Sequence, residues 1–380
     1  TSGTQTYNGA VTLGADTTLT GSSITTKDTV SGNYGLSISG NAVIGDSTGD
    51  TIILGGTGKN LSISGTTTIN TTTITASGAQ TYTGAVTLGA DTTLTASAGD
   101  IAFGSTVSGA HTLSATASAA TTFADAIGGT PLTGLTISTA TLTAHAITLA
   151  SSSALSITNS STGSIDGIIS GTSVTLAKAG AGTLTLSGTN SYTGTTTISA
   201  GTLTLTGALS SSTGVVMTGT SIWDLQATQT IASLSMATGN SITRSAGTSA
   251  LTVSGTSTLG GSITTSGTQT YSGAVTLGAN TTLTTTNNLV TFSSTLANSS
   301  ASTLGISSGT GGVTFTGAVG SGTALGAVTL TTSGTTTITS TFAAASLSSG
   351  TGTTAINGGS ITTSGTQTYN GAVTLGADTT

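Results

Sequence analysis

The amino-acid sequence predicts an all-β chain wound as a right-handed parallel β-helix, a β-solenoid of roughly 18 to 20 coils. Three observations carry this: a composition that starves helices, apolar residues that alternate with a period of two, and internal repetition.

Among 380 residues there are ten acidic side chains, all Asp, and four basic ones, Lys27, Lys59, Lys178 and Arg244. The Glu, Lys, Arg and Gln that usually fill helices are scarce or absent. Thr, Ser, Gly and Ala dominate, and the branched Cβ of Thr favours an extended backbone. Disordered chains also run rich in Gly and Ser, but they lack regularly placed β-branched apolar residues and carry more charge. No cysteine is present, so disulfides and thiolate metal sites are excluded; such chains suit passage through an oxidising periplasm in the unfolded state. Four cations against a net charge of −6 make nucleic acid and anionic membrane poor partners. No apolar run approaches the roughly 20 residues that span a bilayer, so no membrane insertion is expected of this segment.

The alternation is plain in Val11-Thr-Leu13, Leu61-Ser-Ile63, Leu184-Thr-Leu186, Leu203-Thr-Leu205 and Val328-Thr-Leu330. Period two means strand, with the apolar residue inward and the hydroxyl outward. Gly, Asn, Asp and Ser separate the triplets, where corners need positive φ or side-chain hydrogen bonds. Leu184 and Leu203 lie 19 residues apart. Coils of about 20 residues, stacked at about 4.8 Å, would give a rod on the order of 90 Å long. Right-handed winding is the rule for parallel crossovers.

Repetition is hierarchical. Residues 1–18, TSGTQTYNGAVTLGADTT, recur unchanged at 363–380, an offset of 362 residues. Near copies start at Ser77 and Ser266, and GGSITTSGTQTY occurs at both 260–271 and 358–369. The expectation is therefore one continuous solenoid over 1–380, cut from a longer array with a super-repeat of about 362 residues.

Residues 180–207, GAGTLTLSGTNSYTGTTTISAGTLTLTG, resemble the autotransporter-associated β-strand repeat of bacterial passengers, through GxGTLTLSG, NSYTG and TTTISAGTLTL. The SGTQTYxGAVTLGADTTL units are similar to filamentous-haemagglutinin-like surface proteins of Gram-negative bacteria. These resemblances imply a right-handed parallel β-helix, export to the cell surface, and a part in adhesion, aggregation or a fibrous appendage.

Paired carboxylates could serve acid and base chemistry, but the repeats argue otherwise. Asp16, Asp91 and Asp378 fill one slot in which another copy has Asn280. A slot that accepts either residue needs only a hydrogen-bonding oxygen at a turn. Asp46, Asp50, Asp100, Asp125, Asp166 and Asp224 receive the same interpretation. The stretch from Gly45 to Asn60 faintly resembles a calcium-binding nonapeptide, but Asn60 stands where an acidic ligand belongs and tandem copies are missing. His111 and His145 have no acidic neighbour in sequence and read as solvated corner residues. Trp223 and the recurring Tyr7, Tyr82, Tyr271 and Tyr369, with Tyr192, read as packing residues, the tyrosines at corners, rather than as sugar platforms. The sequons at Asn60, Asn70, Asn159, Asn280 and Asn298 follow from the abundance of Ser and Thr.

No catalytic, cofactor-binding or metal site is thus expected, and no enzyme activity. The expected role is structural: part of an extracellular or cell-surface fibre of a Gram-negative bacterium, with an adhesive or cell–cell contact function. Its partners would be further copies of the array and host or neighbouring cell surfaces. The alternative is a carbohydrate- or ice-binding solenoid module. Against ice, irregular coil length is expected to throw pairs such as Thr66 and Thr68 or Thr195 and Thr197 out of line from coil to coil.

Overall fold

The structure is a computed structural model that describes residues 2–380. Among these residues there is no helix, and every strand pairing is parallel. The chain divides into two compact units, Thr1–Gly194 and Thr195–Thr380. Each is a parallel β-solenoid, as the composition and alternation predict.

In the first unit every coil lays down three strands, and each strand stacks on its counterpart one coil away. Face 1 opens with Thr4–Tyr7 and continues through residues 23–26 and 41–44, Thr67–Ile69 and Val86–Leu88. Face 2 opens with Val11–Leu13 and runs through Thr51–Leu54, Thr73–Ala76, Thr92–Ala96, Thr112–Ala117, Gly134–Thr139 and Ala154–Asn159 to Thr175–Ala179. Face 3 starts at residues 17–20 and runs through Leu61–Ile63, Gln80–Tyr82, Ile101–Phe103 and Ala120–Phe123 to Thr183–Leu186. The second unit is built alike. One of its ladders runs through Gln229–Ile231, Leu251–Val253, Gln269–Tyr271, Val290–Phe292, Val313–Phe315, Thr336–Ile338, Thr354–Ile356 and Val373–Leu375.

Alternation does what period two requires. Inward residues form columns of like side chains, such as Leu19, Ile38, Ile63, Tyr82, Phe103 and Phe123 on face 3. Stacking in register lets the rings meet face to face: Tyr82 and Phe103 have centroids 5.3 Å apart, and Phe103 and Phe123 4.7 Å. The second unit repeats the device with Tyr271, Phe292 and Phe315, at 5.2 and 5.3 Å. Such pairs contribute about 0.5–1.5 kcal/mol beyond the area they bury.

Coil length varies widely. Register partners are 18 residues apart at Leu251 and Gln269 but 25 apart at Leu36 and Leu61. The extra residues sit in the corners and the strands stay aligned. Irregular coil length therefore does not by itself put strand positions out of line, as the row Thr73, Thr93, Ser114 and Thr136 shows, although Thr68 stacks on Val43 and Thr197 on Val216. The backbone hydrogen bonds of each strand fix its register against the neighbouring coil, while a corner can lengthen without disturbing them.

Corners are tight where the next coil passes close. A Cβ added to Gly84, in the TYTGAV corner, would lie 2.5 Å from the Gly65 carbonyl carbon and 2.7 Å from the Thr66 nitrogen. This glycine serves close approach of backbone to backbone.

The sequence repeats do not follow whole coils. Gln5–Tyr7 lies on face 1, whereas its near copy Gln80–Tyr82 lies on face 3. In the second unit Gln269–Tyr271 belongs to the ladder just described. The corresponding Gln367–Thr368 pairs instead with Leu347 and Ser348, and Val373–Leu375 of that later copy takes the place on the ladder. The unit that repeats is one side, a strand with its corner.

Phe103→Ala should cost about 3–5 kcal/mol, because it leaves a void between two rings, and urea denaturation followed by circular dichroism would measure it. Gly84→Ala should also destabilise, by forcing two coils apart, whereas the same change at exposed Gly9, which has open space around it, should not.

Candidate functional site

The acidic slot proves to be a splice between coils. Asp16 Oδ1 accepts the backbone N–H of Gly35 at 2.8 Å, and Asp91 Oδ1 that of Thr112 at 2.8 Å. Asn280 Oδ1 accepts the N–H of Thr303 at 2.9 Å. The donor is each time the corner of the adjacent coil, 19, 21 and 23 residues on. An amide oxygen performs this as well as a carboxylate, which is the physical reason the slot takes either residue. These bonds hold the carboxyls of Asp16 and Asp91 below the ordinary Asp range, with Lys59 helping at Asp16. Asp100 accepts from Ala120 N in the same manner. Asp224 is nearly buried, which pushes its pKa up, but Ser245 and Gln226 donate three hydrogen bonds to it and the net shift is downward.

Asp50 closes its own loop, accepting the N–H groups of Asp46 and Ser47 at 2.9 Å. Lys27 stands 3.7 Å from Asp46. The oxygens that a calcium loop would aim at a cation are thus turned toward backbone donors and an ammonium. Asn60 accepts from Ala79 N. Among the described residues no cluster of three or more His, Cys, Asp or Glu could hold a metal ion.

Both histidines have acidic partners that their sequence neighbourhoods do not reveal. His145 Nδ1 lies 2.6 Å from Asp166 Oδ1, and His111 Nδ1 lies 3.5 Å from Asp91 Oδ1. Each partner is one coil away, so stacking creates the pair. The corner placement read from sequence is correct and the isolation is not. Among the described residues neither pair has a serine or threonine hydroxyl hydrogen-bonded to the imidazole, so no nucleophile relay is assembled.

Tyr82 and Tyr271 lie on inward strand positions, not at corners, and with Tyr192 they are fully buried and cannot offer a platform to a sugar, while Tyr7 and Tyr369 are half-buried. Trp223 is likewise core, stacked between Leu203 and Ile242. The only large aromatic exposed among the described residues is Tyr34, with Lys59 Nζ 5.6 Å above its ring. The five sequon asparagines all hydrogen-bond to backbone groups.

One device escaped the sequence reading. In every QTY copy the tyrosine hydroxyl donates to the glutamine two residues earlier: Tyr7 to Gln5, Tyr82 to Gln80, Tyr271 to Gln269 and Tyr369 to Gln367, at 2.8–3.2 Å. The amide Nε2 donates in turn to the carbonyl fifteen residues on, that of Thr20, Thr95 and Thr284 in the three copies where the chain continues that far. Two polar side chains thereby enter the core as a satisfied unit. The legible signal is a Gln and a Tyr at i and i+2, which must share a face of a strand.

Lys178 also points inward, in the column of Ile137 and Ile157. Its stem lies in the core and its ammonium donates to the carbonyls of Ala179 and Gly180 at 2.8 and 2.9 Å. Burial lowers its pKa from 10.5 to about 8.

Lys178 lies within a stretch that a family model matches. Residues 176–205 match the family model of the passenger-associated-transport-repeat. Over these residues the chain is similar to that repeat. The match overlaps the resemblance read at 180–207 over residues 180–205. No curated protein and no solved structure matches the chain. Within this passenger repeat the alternating residues do what its pattern requires: Leu184, Leu186 and Tyr192 are buried in the first unit, and Ile198, Leu203 and Leu205 in the second.

Asp91→Asn should leave stability within about 0.5 kcal/mol of the parent, whereas Asp91→Ala, which removes the acceptor, should cost about 1 kcal/mol in denaturant melts. At Lys178 the folded pKa is the lower one, so the unfolded chain binds more protons above pH 8. Between pH 8 and 10 this group should make the fold more stable as pH rises. Lys178→Met should raise stability at pH 7 and flatten that rise. Above pH 10 the buried hydroxyls of Tyr82 and Tyr271, whose pKa burial pushes up, act in the opposite sense.

Proposed function

We propose that this chain is a structural stretch of an exported bacterial surface protein, a solenoid passenger of autotransporter type that forms a stiff, non-enzymatic fibre and brings cells into contact. The observation that carries the reading is the passenger-associated-transport repeat among parallel-paired strands. A fold that closes its backbone hydrogen bonds coil by coil needs no large core, disulfide or metal, and can cross a periplasm unfolded and assemble outside. Sparse charge supports the same role. Four basic residues leave trypsin-like proteases few sites, and surfaces so nearly neutral meet without strong repulsion. The partners on this reading are further copies of the same array and neighbouring or host cell surfaces.

Antibody raised against the chain should label intact producing cells, and deletion of the gene should reduce their aggregation or attachment. Antigen accessible only after lysis would overturn the surface reading. Normal aggregation and attachment by a surface-negative deletion strain would overturn the contact role.

A further inference from the structure

Face 2 of the first unit carries a two-dimensional array of hydroxyls. Its strands present two outward positions each. Over five successive coils these are Thr73 and Thr75, Thr93 and Thr95, Ser114 and Thr116, Thr136 and Ser138, then Ser156 and Thr158. Strand pairing puts the first members in one row, Thr73, Thr93, Ser114, Thr136 and Ser156, and the second members in a parallel row. The grid repeats at about 4.8 Å from coil to coil and about 6.6 Å along each strand.

Three further observations say what such a grid could hold. None of the ten hydroxyls makes a hydrogen bond to another described residue, whereas Thr92 and Thr139, beside them at corners or facing inward, bond backbone carbonyls. The rows are therefore left to water. Behind them stand Ile74, Leu94, Ala115, Ile137 and Ile157, all fully buried, so the seven outward threonines, β-branched, are held by a close-packed support with little rotamer freedom. None of the ten positions holds an aromatic, an Arg or any charge, which removes the anchors that protein interfaces and sugar sites use. A rigid neutral surface of hydroxyl groups, with a methyl beside each of the seven threonine hydroxyls, orders water by caging it at the methyls and bonding it at the hydroxyls.

We infer that face 2 of Thr1–Gly194 is an ice-binding surface, with ordered water as its ligand. The array does not depend on where the chain is displayed, so this inference stands or falls apart from the surface role proposed above.

The test uses the whole 380-residue chain on a polycrystalline ice film, with recrystallisation rate and thermal hysteresis as readouts. The parent should slow grain growth and shape single crystals. Thr95→Tyr with Thr116→Tyr, which intrudes on the array from outward positions, should lose both effects while its thermal melt stays that of the parent. Thr122→Tyr, outward on face 3, should retain them. A parent without effect on ice would overturn the inference, as would equal loss from the face 3 variant. It would also fall if the parent sedimented as a dimer that Thr95→Tyr with Thr116→Tyr dissolved, since the face would then be covered by a second copy.

Discussion

Every other feature of this chain depends on the register of its parallel strands. A strand here has little of its own to recommend it, often three residues with one hydroxyl outward and two apolar groups inward. Paired in line with the same triplet a coil away, it closes its backbone hydrogen bonds and sets like side chain upon like. The aromatic stacks, the threonine rows and the carboxylate splices all arise from that alignment. The corners carry the variation instead. They range over several residues in length and hold most of the glycine and aspartate.

Many of the polar side chains that enter this fold are satisfied by backbone, although the buried hydroxyls of Thr67, Thr121 and Ser257 and the indole N–H of Trp223 have no partner among the described residues. Asp16, Asp91 and Asn280 take N–H groups from the adjacent coil, Gln80 and Gln269 donate to carbonyls, and even Lys178 returns its ammonium to two carbonyl oxygens. Side chains in this protein serve the main chain far more than one another. That is a different economy from a globular domain, whose buried polar groups often meet in side-chain networks. It explains how so little charge can suffice.

Much of this was legible in the sequence. Strand, inward and outward faces, coils of about 20 residues and the passenger repeat follow from periodicity and from residues 180–207. The exchange of Asp for Asn between copies revealed the acidic slot as structural before any coordinate. What could not be read were relations created by stacking. His145 and Asp166 are 21 residues apart with nothing between them to announce a pair. Whether Thr93 lies beside Thr73 depends on how corners absorb length, which no local pattern encodes. Recurrence in one repeat slot suggests a corner for the tyrosines; Gln80 and Tyr82, as an i and i+2 pair, belong instead on one inward face.

The placement of near-identical segments on different sides has a consequence for how such a chain can grow. If one strand with its corner is the interchangeable part, recombination between copies need not exchange whole turns. Gain or loss of a single side would advance everything beyond it by a third of a revolution, with every inward column still apolar and every splice still within reach of a backbone donor. The interior would scarcely register the event. The exterior would, because each surface row would be broken and resumed on another side. Such a lineage can alter length in small steps and redistribute what it displays around its axis, under a core that tolerates both.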